Sequence, residues 1–209
     1  IVYSGGLDST VLLHFMRDEI IAAVNFYYGS KHNEMEREMA RYNCTLLDVP
    51  LYELDIQNIF VHSKSTLLKG RDAIPEGHYE DETMKQTVVP FRNGIMLSIA
   101  AGIAESIGAS HLLLANHAGD HAIYPDCRPE FSNAINKAIN FGTDGKVQVH
   151  TPFLYFSKRT IAKIGLSLNI DFNKTYSCYN GGINHCGVCG TCNERIEALR
   201  DFDPTHYEK

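Results

Sequence analysis

Short apolar runs alternate with longer amphipathic or charged stretches along most of this chain, and that alternation restricts its fold more than any other feature. Ile1–Tyr3 reads as the end of a buried strand, Ile20–Tyr28 as a continuous apolar strand closed by Gly29, and Leu46–Tyr52 as a third strand. A helix begins between the first two around Val11, with Ser9 or Thr10 in its first turn, and a charged helix over Glu34–Tyr42 precedes the third. Strands separated by helices at this pitch make parallel βαβ units. The polar, irregular stretch His62–Thr87 is long enough to predict a functional loop. The alternation then resumes. A helix rich in small and apolar residues is expected over Gly94–Ser106, a strand over His111–Asn116 and a helix over Glu130–Asn140. A strand over Val147–Phe153, a helix over Lys158–Leu168 and a last helix over Asn193–Leu199 follow. The expectation is one α/β domain over residues 1–170 and a C-terminal metal-binding segment with a closing helix over 171–209.

Composition narrows the function classes. With 44% hydrophobic and 21% charged residues, the chain has the material for a core and lies far from disordered sequences. No apolar run approaches the roughly 18 residues of a membrane-crossing helix. No secretory signal is visible, although the chain opens at Ile1 without Met, so a cytoplasmic location and no membrane partner are expected. A net charge of -6 argues against a large electrostatic grip on nucleic acid and points to a small substrate.

Between the first strand and the first helix stands Ser4-Gly5-Gly6-Leu7-Asp8-Ser9-Thr10. Glycines there let backbone N–H groups close on an anion at a helix N-terminus, and Ser4, Ser9 and Thr10 add hydroxyl donors. Asp8 would repel phosphate unless it holds Mg²⁺. An ordinary tight βα turn also favours Gly, Ser and Asp, but it has no need of Asp-Ser-Thr in succession. The turn is neither a Walker A loop nor a dinucleotide fingerprint.

Cys178, Cys186, Cys189 and Cys192 fall within fifteen residues, among Gly181, Gly182, Gly187 and Gly190. Two overlapping Cys-x-x-Cys steps suit one tetrahedral Zn²⁺ with no open position, hence a structural site. A redox pair needs only two of them, and an iron–sulfur cluster uses the same thiolates. His185 is a spare ligand beside the set.

Two middle segments add polar chemistry. Val89-Pro90-Phe91-Arg92-Asn93 opens a helix with a guanidinium for an anion and an amide for a base edge, or with a helix cap beside a solvated Arg. His117–Phe131 follows a buried strand and carries Asp120, Asp126 and Arg128, more charge than a loop requires. Ligands of open α/β sheets sit at such strand ends.

The Ser4–Ser9 loop resembles the pyrophosphate loop of the ATP pyrophosphatases, the PP-loop superfamily, which cut ATP to AMP and pyrophosphate. Together with Val89–Asn93, Tyr124-Pro125-Asp126-Cys127-Arg128 and Ser177-Cys178-Tyr179-Asn180-Gly181 it is similar to the 7-cyano-7-deazaguanine synthase (QueC) family, in that family's order and over nearly the whole chain. The chain departs from the family pattern at Phe91, where members more often carry Gly, and over Asn116–Ile123.

The resemblance implies a doubly wound parallel sheet with a C-terminal zinc-binding appendage. It implies an ATP-dependent carbon–nitrogen ligase that turns 7-carboxy-7-deazaguanine and ammonia into the nitrile through an adenylate and an amide. Ser4, Asp8, Ser9 and Arg92 would be catalytic. ATP would lie against Tyr3, Ser4, Gly5, Gly6, Leu7, Asp8, Ser9 and Thr10, with Phe26, Tyr28 and Ala115 around the adenosine. The deazapurine would meet Phe91, Arg92, Asn93, Asp120, Tyr124, Asp126 and Arg128. Mg²⁺ would accompany ATP, structural Zn²⁺ would sit on the four cysteines, and the protein would be a homodimer. The alternatives are a PP-loop enzyme that activates another acceptor, such as a tRNA base or a deazapurine joined to another amine, and a non-enzymatic zinc-ribbon module.

Overall fold

The computed structural model describes residues 1–209. The N-terminal residues run extended through the centre of a parallel array. Val24 N–H donates to Ile1 C=O and Tyr3 N–H to Val24 C=O, each at 2.9 Å, and on the other side Val2 N–H reaches Leu113 C=O at 2.9 Å. Outward from the first contact lie β1 (Ala23–Tyr27) and β2 (Leu51–Asp55), parallel, with Ala23 opposite Leu51 and Tyr27 opposite Asp55. Outward from the second lie β3 (His111–Leu113) and β4 (Gln148–His150), also parallel. The spatial order is β2, β1, N-terminal segment, β3, β4. In chain order that is third, second, first, fourth, fifth, the doubly wound arrangement, whose order reverses at the N-terminal segment.

Six α-helices flank the array: α1 (Leu7–Phe15), α2 (Asn33–Leu46), α3 (Arg92–Ser106), α4 (Pro129–Gly142), α5 (Lys158–Ser167) and α6 (Gly190–Leu199). Successive strand residues point to opposite faces. Val24, Phe26, Leu112 and Val149 therefore pack with Leu97, Ala100 and Ala101 of α3. Ala23 and Leu113 pack on the other face with Leu7, Val11 and Leu12 of α1, Ile161 of α5 and Ala198 of α6. Ala100, Ala101 and Ala104, all buried, let α3 lie close against the strands.

Most boundaries shift by a few residues from the sequence expectation, α6 for one starting at Gly190 and not Asn193, and three shifts bear on the N-terminal half. α1 starts at Leu7, four residues before Val11, because Gly6 is already extended (ψ 169) and feeds the helix directly. Leu46 closes α2 instead of opening a strand, Asp48 turns the chain in the left-handed region (φ 53), and β2 begins only at Leu51. The first strand is a single bridge, Val2 to Val24.

The polar stretch before α3 has little regular structure yet is well tied. Ser65 Oγ donates to Thr87 C=O at 2.8 Å, and Tyr79 and Met84 are buried against Tyr124 and Cys127. The C-terminal segment folds back onto the α/β layers. Tyr176 N–H donates to Gly5 C=O at 3.1 Å. The fully buried Arg195 donates to Phe172 C=O (2.7 Å), Thr175 Oγ1 (2.9 Å), Ser177 Oγ (3.1 Å) and Thr205 Oγ1 (2.8 Å). No helix is long and apolar enough to cross a membrane.

Candidate active site

A cavity opens where the strand order reverses, at the carboxyl ends of the N-terminal segment, β1 and β3. Its floor is the Gly-rich turn. Gly5 has φ +94, and a Cβ there would stand 2.1 Å from Glu36 C=O, so only glycine lets the turn press against α2. Gly6 N–H donates to Ser4 Oγ (2.9 Å), which meets Ser9 Oγ at 3.0 Å. The hydroxyls thus brace the turn at the N-terminus of α1, where positive backbone groups face the cavity. Thr10 points the other way, bonded to Tyr3 Oη in the core.

Beside the turn is a buried charge cluster. Asp8 Oδ2 accepts from Lys158 Nζ at 2.6 Å, and the same ammonium lies 3.2 Å from Glu194 Oε2. His117 Nε2 is 3.9 Å from Asp8, 3.6 Å from Asp120 and 3.6 Å from Glu194. Burial raises Asp120, but facing His117 and Lys158 outweigh it and hold the carboxyl below its ordinary range. Burial pushes Glu194 up, against the opposing pull of Lys158 and His117. Burial would lower Lys158, yet Asp8 and Glu194 keep it firmly protonated. Asp8 Oδ1 is buried with no hydrogen-bond partner, as is Asn116 Oδ1.

The inner end is built from Tyr28, His32, Arg92, Tyr79, Tyr124 and Tyr179. Arg92 Nη1 donates to Tyr28 Oη at 3.2 Å, and its guanidinium has no carboxylate in ion-pairing reach. Burial works against its charge, but Tyr28 and Asp126 outweigh that effect. A half-buried guanidinium with no carboxylate in ion-pairing reach is arranged for an anion that arrives from outside.

Of the residues expected at the site, Tyr3, Ser4, Gly6, Leu7, Asp8, Ser9, Phe26, Tyr28, Arg92, Asn93, Ala115, Asp120 and Tyr124 line this one cavity. Gly5 lies behind its floor, and Phe91, Asp126 and Arg128 are elsewhere. Asp126 Oδ2 accepts Asn93 N–H at 2.8 Å and caps the start of α3. Arg128 is exposed and donates to His121 C=O. Phe91 is 58% exposed, with its ring edge-on to Phe131. Its φ of 51 is the left-handed conformation that glycine adopts freely and other residues seldom do. His32, Glu36, Lys158 and Glu194 join the site without having stood out in the sequence, and Asn116 and Tyr179, noted there only within longer segments, join it too. His32 and Glu36 share a helix face one turn apart; Lys158 opens α5.

The four cysteine sulfurs all lie within 4.8 Å of one another, and Cys186 Sγ is 3.9 Å from Cys192 Sγ. Thiolates about 2.3 Å from a central ion at tetrahedral angles stand about 3.8 Å apart. The set is therefore built for one metal ion. Cys178, Cys189 and Cys192 are buried in the same core as β1 and α3.

The family model for "Queuosine biosynthesis protein QueC" matches residues 1–203. The chain belongs to the QueC family. A protein of Porphyromonas gingivalis named 7-cyano-7-deazaguanine synthase is 50% identical over 100% of this chain and 96% of its own length. A Desulfotalea psychrophila protein of the same name is 52% identical over 99% of this chain and 97% of its own. Among solved structures, the U34-tRNA thiolase NcsA of Methanococcus maripaludis, described with its [4Fe-4S] cluster, superposes with a TM-score of 0.52. It is 12% identical, over 99% of this chain and 72% of that one, which shows a shared fold. The QueC relatives thus match end to end, cysteine segment included.

Proposed function

We propose that this chain is an ATP-dependent ligase that converts 7-carboxy-7-deazaguanine and ammonia to 7-cyano-7-deazaguanine. Family membership supports the reaction, and one observation carries it on this chain. The guanidinium of Arg92, with no carboxylate in ion-pairing reach, shares a cavity with the Gly-rich turn. One end suits pyrophosphate and the other a carboxylate.

A carboxylate resists ammonia because its oxygen leaves poorly. Joining AMP to it creates a good leaving group, ammonia displaces AMP, and a second ATP activates the resulting amide for loss of AMP and formation of the nitrile. The protein supplies position and charge. Ser4, Gly6 and Ser9 at the N-terminus of α1, with Lys158, hold the phosphates, and Tyr3, Leu7, Phe26, Tyr28 and Ala115 border the rest of ATP. Arg92 orients the substrate carboxylate. Asn93, Asn116, Asp120 and Tyr124 offer polar atoms to the deazaguanine edge, Asn116 Oδ1 being an acceptor with no partner of its own.

The buried, unpartnered Asp8 Oδ1 fits a cation, and Mg²⁺ there would neutralise phosphate charge. The sulfur spacing fits Zn²⁺, which would lock the C-terminal segment onto the α/β layers. We assign residues 1–170 to the PP-loop unit and 171–209 to the metal-closed segment, in a homodimer resident in the reducing cytoplasm; light scattering tests the dimer.

Incubating the protein with 7-carboxy-7-deazaguanine, Mg-ATP and ammonium tests the reaction by mass spectrometry. Nitrile with two AMP per product is expected. AMP without nitrile would redirect the search to another acceptor, and no AMP from zinc-replete protein would overturn the enzyme reading.

A further inference from the structure

Glu36 stands on α2 one turn beyond His32, and the 15% of its side chain that is exposed opens into the cavity. The Gly-rich turn flanks it on one side. Ser4 lies close enough to favour its ionised carboxyl, and a Cβ on Gly6 would sit 3.7 Å from Oε1. Arg92 lies on the other side, near enough for its charge to act on the carboxyl but outside ion-pairing distance. Tyr3 and Tyr28 also face it. Its one close titratable neighbour is His32, with Nε2 3.5 Å away. Burial first, then Arg92, push that imidazole down to about 3, so it is neutral and lends no charge. A carboxyl buried with no cation bonded to it is costly and needs an explanation.

Placement supplies one. Pyrophosphate at the turn and carboxylate at Arg92 put the acyl carbon between them, on the side where Glu36 projects. We propose that Glu36 is the general base of the amide-forming step, an assignment that rests on the ligase reading. As the ammonia nitrogen closes on the acyl carbon, Glu36 carboxylate takes one N–H proton. The C–O bond to AMP breaks, and AMP leaves with the electron pair. Amide, AMP and protonated Glu36 remain, and the proton passes to solvent before the next turnover.

Burial pushes Glu36 up to about 8, against the opposing pull of Arg92 and Ser4. A base that titrates close to the working pH both accepts a proton readily and releases it again. The competing role is a permanently protonated acid that donates to phosphate, which a glutamine could imitate.

Glu36→Gln separates the two. Three readouts are needed: substrate-dependent ATP–pyrophosphate exchange without ammonia, amide formation with ammonium, and hydroxamate formation with hydroxylamine, which attacks acyl adenylates unaided. Exchange within about threefold of wild type is expected, with amide formation down about 100-fold or more and hydroxamate formation largely kept. At fixed free ammonia, the rise of the wild-type amide rate toward pH 8 should flatten in the variant. Amide formation within threefold of wild type would overturn the assignment, and so would loss of exchange together with amide. Absence of exchange in the wild type would refute the ligase reading itself and take this assignment with it.

Discussion

Gly5→Ala is the sharpest single test of how the turn is built. The added methyl would sit 2.1 Å from Glu36 C=O and 2.9 Å from Ala40 N, and both are backbone atoms of α2 that cannot swing aside. Its φ of +94 is also strained for any residue with a Cβ. That strain costs about 1–3 kcal/mol, and forcing a methyl into packed backbone about 1–3 kcal/mol more, so a loss of about 2–6 kcal/mol is expected. Two controls calibrate it. Gly102→Ala, in α3 with nothing within 4 Å of the new Cβ, should stabilise by about 0.5–1 kcal/mol. Gly6→Ala has no positive φ, and its new Cβ would meet Ser4 Oγ at 3.0 Å, a side chain able to turn. It should cost less than Gly5→Ala while disturbing the brace between Ser4 and Gly6 N–H. Urea unfolding gives the energies, and ATP–pyrophosphate exchange reports the turn. A Gly5→Ala protein that lost under 1 kcal/mol and kept its exchange rate would refute the packing argument.

Other outcomes follow from the same geometry. Arg92→Met should raise the KM for the deazapurine carboxylate by about 10–150-fold, the value of about 1.5–3 kcal/mol for hydrogen bonds to a charged group, and leave the KM for ATP nearly unchanged. Equal loss for both substrates would count against a carboxylate at Arg92. Cys192→Ser should abolish stoichiometric metal by elemental analysis and lower Tm sharply, since a structural metal contributes directly to folding. A variant that still holds one ion at unchanged Tm would break the four-thiolate assignment. Glu36→Gln should stabilise the ligand-free protein increasingly as pH rises. The folded pKa is raised to about 8, so between about pH 4.3 and 8 the native state holds a proton that the unfolded chain has released, and stability falls with pH. The difference should be near zero at pH 4 and about 3 kcal/mol at pH 7. A constant difference across that range in urea unfolding would show that Glu36 does not titrate as described.

Much of the architecture is legible from local pattern. The helix and strand order needs only short-range periodicity. The turn at Ser4 stands out because a positive φ pressed against a helix admits only glycine. The cysteine spacing carries its own geometry. What misleads is chemistry that serves the fold. Leu46 and Leu47 look like a strand but end a helix, and Asp126 looks like a base reader but accepts the Asn93 N–H in the first turn of α3. Glu36 and Lys158 are hidden for the opposite reason. Each sits in an ordinary charged helix, where a solvated face is the natural reading, and only the packing of α2 and α5 against the turn aims them inward. Arg195 is the extreme case: a guanidinium with no exposure at all, held by carbonyl and hydroxyl oxygens contributed from residues 172 to 205.

The cavity wall has a temporal meaning as well. Residues 3, 4 and 6–9 make its floor, yet Tyr176, Ser177, Tyr179 and Thr191 complete it, and Cys178 and Cys192 adjoin three of them. A ribosome therefore delivers the phosphate cradle first and its closing wall more than 160 residues later. The cavity is therefore whole only once the C-terminal segment has folded back onto the N-terminal turn, where Tyr176 N–H meets Gly5 C=O.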